Sequence, residues 1–169
     1  MYNFMKNKKT GFTLIEMIIY IAIIGIIVTA FISFSISISN ARNKTYVVQE
    51  VNANARFALD LIAQKIKAST SISNPTKGNI DSEITLSFKA PADDITFSLL
   101  NGIIQMTEGA NPAVSITTNE VSVDSFTFSN LTGKGRTNIR VEMEISFRNN
   151  GSQIFTYSDT FQNSVTTRP

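Results

Sequence analysis

Residues 11–42 read GFTLIEMIIYIAIIGIIVTAFISFSISISNAR, and between Thr10 and Arg42 the sole charged residue is Glu16. From Phe12 to Ser39 the run is apolar enough for lipid. As a helix it would measure about 42 Å at about 1.5 Å per residue, more than a hydrocarbon core of about 30 Å, so one span fits with length to spare. A lone carboxylate at the entrance to such a span is costly to bury, and ionisable residues in that setting ordinarily serve a function.

Upstream lie Lys6, Lys8 and Lys9 with no acidic residue. By the positive-inside rule this flank keeps the first residues cytoplasmic and sends the rest outward. The apolar run is far longer than the core of a secretory signal peptide, and Ala22 and Ala30 lie within it without a polar cleavage context. It is therefore expected to remain as an anchor. Gly25 falls inside the span, where glycine permits close approach of helices.

Ser33-Phe34-Ser35-Ile36-Ser37-Ile38-Ser39 alternates with period two and in isolation would read as a strand. A lone strand cannot satisfy its backbone in lipid, so the helix is expected to continue, with serines bonding back to carbonyls of the preceding turn. Past Asn40, Val47, Val51, Ala55, Ala58, Ile62 and Ile66 recur at spacings of three and four and form one helical stripe. Arg56 and Asp60 form an i, i+4 pair on another face. Phe12 to about Ser69 thus reads as one long helix, half apolar and half amphipathic, whose stripe is expected to pack on the protein's own sheet.

Ser69 to Ser82 is rich in Ser, Thr, Asn, Pro and Gly and reads as a loop. From Glu83 the period becomes two. Ile84, Leu86 and Phe88 alternate with polar residues, and Asn101-Gly102 between Leu100 and Ile103 predicts a tight hairpin. Val121, Val123, Phe126 and Phe128 form a strand whose alternation slips at Asp124-Ser125. Ile139, Val141, Met143, Ile145 and Phe147 alternate most regularly. Asn150-Gly151 then turns into a strand from Ile154 to Phe161. The fold class is therefore α+β: a long N-terminal helix packed on an antiparallel sheet, with a head long enough to bury one core.

Catalytic chemistry has no visible basis. The chain contains neither His nor Cys, which excludes the usual zinc and thiolate sites, cysteine nucleophiles and disulfides. Asp93-Asp94 with Asn101 lacks the spacing of a calcium loop. Gly133-Lys134-Gly135-Arg136 lacks the preceding strand and following helix of a phosphate loop and reads as a flexible basic turn. No catalytic residue, metal ligand or cofactor is assigned.

The string Lys8-Lys9-Thr10-Gly11-Phe12-Thr13-Leu14-Ile15-Glu16 resembles the class III signal of type IV prepilins and of type II secretion pseudopilins: a basic leader ending in Gly, then Phe, then Glu five residues into the mature chain. The stretch from Asn52 to Ala68 is also similar to the post-membrane helix of minor pilins or pseudopilins of the J or W type. The resemblance implies a pilin-like fold divided into a cleaved leader (1–11), a transmembrane or assembly helix (12–39), its amphipathic continuation (40–70) and a β-rich head (71–169).

It further implies cleavage between Gly11 and Phe12 by prepilin peptidase and N-methylation of Phe12. Residues Phe12 and Glu16 would then direct subunit assembly, Glu16 of an incoming subunit meeting the Phe12 amine of one already in the filament. Gly25 would be a point of helix flexibility; many members carry a proline farther along, where this chain has Ser33. Loss of the leader lysines takes the formal charge from +2 to −1, so the basic balance belongs to the leader and no nucleic-acid partner is indicated.

The implied partners are prepilin peptidase, other pilin or pseudopilin subunits, an inner-membrane assembly platform and the lipid bilayer. The protein would be single-pass in the cytoplasmic membrane, N-in and C-out, before entering an extracytoplasmic filament. Two alternatives stay open on the residues alone. Glu16 either pairs with the Phe12 amine, within one helix or between subunits, or simply favours the positive helix N-terminus or is solvated among headgroups. The whole chain is either a filament subunit or a binding or adhesive module held by an uncleaved signal anchor.

Overall fold

The computed structural model describes residues 11–133, 136–148 and 156–167. The leader lysines, Lys134-Gly135, the Asn150-Gly151 turn and Ile154 lie outside the described residues. The chain divides into two compact units, Met1–Arg42 and Asn43–Pro169. Helix α1, Leu14–Ala68, contributes to both.

Within the first unit α1 is apolar and its side chains are exposed, Leu14 at 80% and Phe31 at 69% among them. It is long and apolar enough to cross a membrane. The strand-like alternation from Ser33 to Ser39 is helical, as expected, with hydroxyls bonding back to carbonyls of the preceding turn. Thr29 donates to the Gly25 carbonyl at 2.8 Å, Ser33 to Thr29 at 3.0 Å, Ser35 to Phe31 at 2.9 Å and Ser37 to Ser33 at 3.0 Å. The helix is continuous from Gly25 through Ser33.

In the second unit the helical stripe is buried as its spacing predicts, with Val51, Ala55, Ala58, Ile62 and Ile66 fully enclosed. Truncating a residue such as Ile62 to Ala would cost about 2–5 kcal/mol. Arg56 and Asp60 share the exposed face but do not close to ion-pair distance; among the described residues the one ion pair is Arg140–Glu142 at 4.0 Å. Exposed pairs gain too little Coulomb energy to offset the entropy of holding two long side chains together. The helix ends at Ser69, whose backbone N–H bonds to the Lys65 carbonyl at 3.0 Å and whose hydroxyl donates to the Ile66 carbonyl at 2.8 Å. Lys65 and Lys67 in the last turn complement the helix dipole.

Among the described residues nine strands follow: β1 (Ser71–Asn74), β2 (Ile80–Asp81), β3 (Ile84–Ser87), β4 (Ile95–Leu100), β5 (Ile103–Glu108), β6 (Val114–Ser115), β7 (Val121–Asn130), β8 (Asn138–Phe147) and β9 (Ser158–Thr166). They form two antiparallel sheets, one ordered β1-β3-β4-β5-β6 and the other β2-β7-β8-β9, where the sequence led to the expectation of one. The stretch Ser69 to Ser82, expected as loop, supplies an edge strand to each. Ile72 pairs with Leu86, and Ile80 with Ser129. Both strands exist because distant partners take up their backbone groups, which local composition does not reveal. The last strand runs from Ser158 to Thr166, past its expected end at Phe161; its expected start at Ile154 lies outside the described residues.

Other expectations stand. Asn101 (φ 52°) and Gly102 (φ 75°) form the β4–β5 turn in the left-handed geometry a two-residue hairpin needs. The slip at Asp124-Ser125 is a β-bulge between Val123 and Ser125. The core contains Ile84, Leu86 and Phe97 of the first sheet, Phe126, Phe128, Val141, Met143 and Ile145 of the second, and the helical stripe between Val51 and Ile66. Phe126 and Phe128 meet edge-on at 4.6 Å.

Two polar ties hold helix residues of this unit to its loops. Asn54, buried within the stripe, accepts from the Thr118 backbone N–H at 2.9 Å and donates to the Glu50 carbonyl and carboxylate at 3.0 and 2.8 Å. Tyr46 donates to Glu120, a bond that, with some desolvation, raises the phenol above the ordinary tyrosine range. Its ring stands edge-on to Phe147 at 6.3 Å.

Candidate functional site

The residues singled out by the sequence cluster at the start of α1. Gly11, Phe12 and Thr13 precede the helix, and a Cβ built on Gly11 would meet nothing within 4 Å. The Gly11–Phe12 bond is therefore unobstructed by this chain's own described residues. Phe12 is 71% exposed, its ring edge-on to Tyr20 with centroids 6.2 Å apart.

Thr13 is the N-cap. Its carbonyl accepts from the Met17 N–H at 3.2 Å, its hydroxyl from the Glu16 N–H at 3.4 Å, and Glu16 Oε2 accepts from the Thr13 N–H at 3.5 Å. This is the reciprocal capping box of a Thr-x-x-Glu sequence, which satisfies two otherwise orphaned N–H groups. Glu16 Oε1 accepts from the Tyr20 hydroxyl at 3.3 Å, one turn along. Glu16 is accordingly half-buried in a span whose other residues are exposed.

These bonds are long. Typical N–H···O distances are about 2.7–3.2 Å, so the cap and the phenol engage the carboxylate weakly. Neither neighbour brings charge. The site thus presents an exposed aromatic residue, a carboxyl group with acceptor capacity to spare and a hydroxyl within two turns of a helix start.

The sequence reading placed Gly11, Phe12 and Glu16 together but missed Thr13 and Tyr20. Both were legible: Thr13-Leu14-Ile15-Glu16 has the spacing of a capping box, and Tyr20 stands four residues after Glu16 on the same face. Gly25 lies more than two turns farther along. A Cβ there would meet nothing within 4 Å, so this chain's own packing does not require glycine at that position.

Elsewhere the sequence candidates are kept apart. Asp93 and Asp94 precede β4 and Asn101 follows it, so the length of that strand separates them. Ser87 donates to Asp94 Oδ2 at 3.2 Å. Among the described residues no group of three or more carboxylates is placed to hold a metal ion. Two hollows of about 380 and 410 Å³ open beside Phe147, one lined also by Asp124, Glu144 and Tyr157 and the other by Tyr46, Glu120 and Arg148.

Comparison with known families supplies a match. Residues 6–32 fit the model of the prokaryotic N-terminal methylation motif, the signal found in type IV pilins and pseudopilins. The match covers the basic flank, Gly11, Phe12, Glu16 and most of the apolar helix. Neither a curated protein nor a solved structure matches the chain.

Proposed function

We propose that this chain is a structural subunit, a minor pilin or pseudopilin, of a type IV pilus-like or type II secretion filament. The observation that carries this reading is the methylation motif over residues 6–32, whose residues from Leu14 onward lie in the exposed apolar part of α1, where Glu16 is the one charged residue before Arg42. Prepilin peptidase cuts after Gly11 and methylates Phe12. The apolar helix remains in the cytoplasmic membrane, N-in and C-out, with the head outside.

Cleavage creates a cation where none existed. The ammonium of Phe12 on one subunit pairs with Glu16 of another, relieving the cost of an incompletely satisfied carboxylate near lipid. That cost is about 2.5–3.5 kcal/mol at a helix centre and less near the interface. Long bonds to Thr13 and Tyr20 suit this role, since they hold the carboxylate in place while leaving acceptor capacity for a charged donor. The apolar helices then form the filament core, guided onto an inner-membrane platform. The role is assembly and not catalysis, and the likeness of residues 52–68 to minor pilins or pseudopilins of the J or W type supports that subclass.

Mass spectrometry of the chain recovered from a host with the peptidase tests the reading. The expected product begins at N-methylated Phe12. A chain retaining residues 1–11 would sink it in favour of an uncleaved anchored module.

A further inference from the structure

Ser33-Phe34-Ser35-Ile36-Ser37-Ile38-Ser39 has the period of a strand and the structure of a helix, with no Gly, Pro or charge in it. Segments of about six or seven residues with high β-propensity, low charge and no proline are those that stack as cross-β. None of these side chains is buried, so no tertiary packing holds the segment helical. Packing of one face is what stabilises most protein helices.

Local terms do not make up the difference. Ser, Phe and Ile are mediocre helix formers. The hydroxyls of Ser33, Ser35 and Ser37 bond to carbonyls that the helix already uses, and such back-bonding slightly weakens a helix in water. In hydrocarbon the balance reverses, because an open strand would leave backbone groups unsatisfied at several kcal/mol each. The surroundings decide the conformation of this segment.

We infer that Ser33–Ser39 is a lipid-dependent conformational switch: helical in a bilayer or under an apolar partner, and intermolecular β-structure between copies of this chain when it meets water uncovered. In a strand Phe34, Ile36 and Ile38 line one face and the serines the other, giving a dry face for sheet stacking. In the helix Phe34 and Ile38, four residues apart, share one side while Ile36 lies roughly opposite, so the three apolar side chains no longer form a single face. The consequence is direct hand-over: the helix must pass from lipid to a covering partner without an aqueous interval. The inference needs only the apolar helix and does not rest on the filament reading.

The test uses the full chain, reconstituted in vesicles of phosphatidylcholine and phosphatidylglycerol or diluted from detergent until micelles disappear. The chain has no cysteine, so Ser37→Cys carries a single spin label, and Gln64→Cys on the exposed face of the head helix serves as control. The expected result is isolated-label spectra at both positions in vesicles. On dilution, strong spin–spin broadening appears at position 37 alone, with an intermolecular β-sheet infrared band. Exchanging two neighbours, Ser35→Ile with Ile36→Ser, keeps composition and hydropathy but breaks the alternation, and should slow conversion about tenfold. Aggregates that keep the segment helical, equal broadening at position 64, or an exchanged chain that converts as fast as the natural one would each overturn the inference.

Discussion

Tyr20 donates its phenolic hydrogen to Glu16 Oε1 at 3.3 Å, across one turn of α1. On the other side of the same carboxylate, Thr13 completes a capping box. Glu16 therefore has a local role in starting the helix as well as the intermolecular one proposed for it, and the two are separable by substitution.

Thr13→Ala removes the cap and keeps the charge. It should fray the first turn by about 0.5–2 kcal/mol, read as faster amide exchange at Glu16 and Met17 in micelles, while filament incorporation persists. Glu16→Ala should fray the same turn and also abolish incorporation. If both variants assemble equally well, the carboxylate is a cap and nothing more.

Gly25 has open space around it. Gly25→Ala should stabilise the helix of the isolated subunit in micelles by about 1 kcal/mol, and Gly25→Leu should leave the head's unfolding curve unchanged. Should glycine serve close helix approach, incorporation will fall from Ala to Leu. Equal incorporation of both with the natural chain would remove Gly25 from the assembly surface.

Asn54 is the buried polar residue of the helical stripe, and its removal leaves the Thr118 N–H without its partner. Asn54→Ala should destabilise the head by about 1–3 kcal/mol in urea unfolding. Arg56→Ala, two residues away on the exposed face, should change it by less than about 0.5 kcal/mol.

Asp81 has its acidity set mainly by a hydrogen bond from the Asn74 amide, which lowers its pKa below the usual aspartate range; partial desolvation opposes this, and backbone N–H groups assist. A carboxyl depressed in the folded state contributes stability above its unfolded pKa of about 3.9, and that contribution is lost as pH falls through the folded value. Thermal unfolding of Asn74→Ala should accordingly depend less steeply on pH in the acid limb than that of the natural chain. An unchanged acid limb would mean that Asp81 is not linked to folding.

Much of this molecule is local in origin. The long helix, its buried stripe, the Asn101-Gly102 turn, the bulge beside Asp124 and the cluster of Gly11, Phe12 and Glu16 all follow from spacing, charge or turn chemistry within a few residues. Those signals survive without knowledge of neighbours. They also include the capping box of Thr13 and Glu16, whose Thr-x-x-Glu spacing is itself local.

The tertiary structure decided what depends on distant partners. Ser71–Asn74 and Ile80–Asp81 become strands only because β3 and β7 take up their backbone groups, and they fall in different sheets because those partners do. Asn54 is buried because Thr118 arrives from 64 residues away to satisfy it. By itself, the sequence determined where the chain is apolar, where it turns and where its single membrane-edge charge lies, since those are properties of neighbouring residues. Which strand meets which, and which polar groups are enclosed, depended on the folded chain bringing far-apart backbone donors and acceptors together.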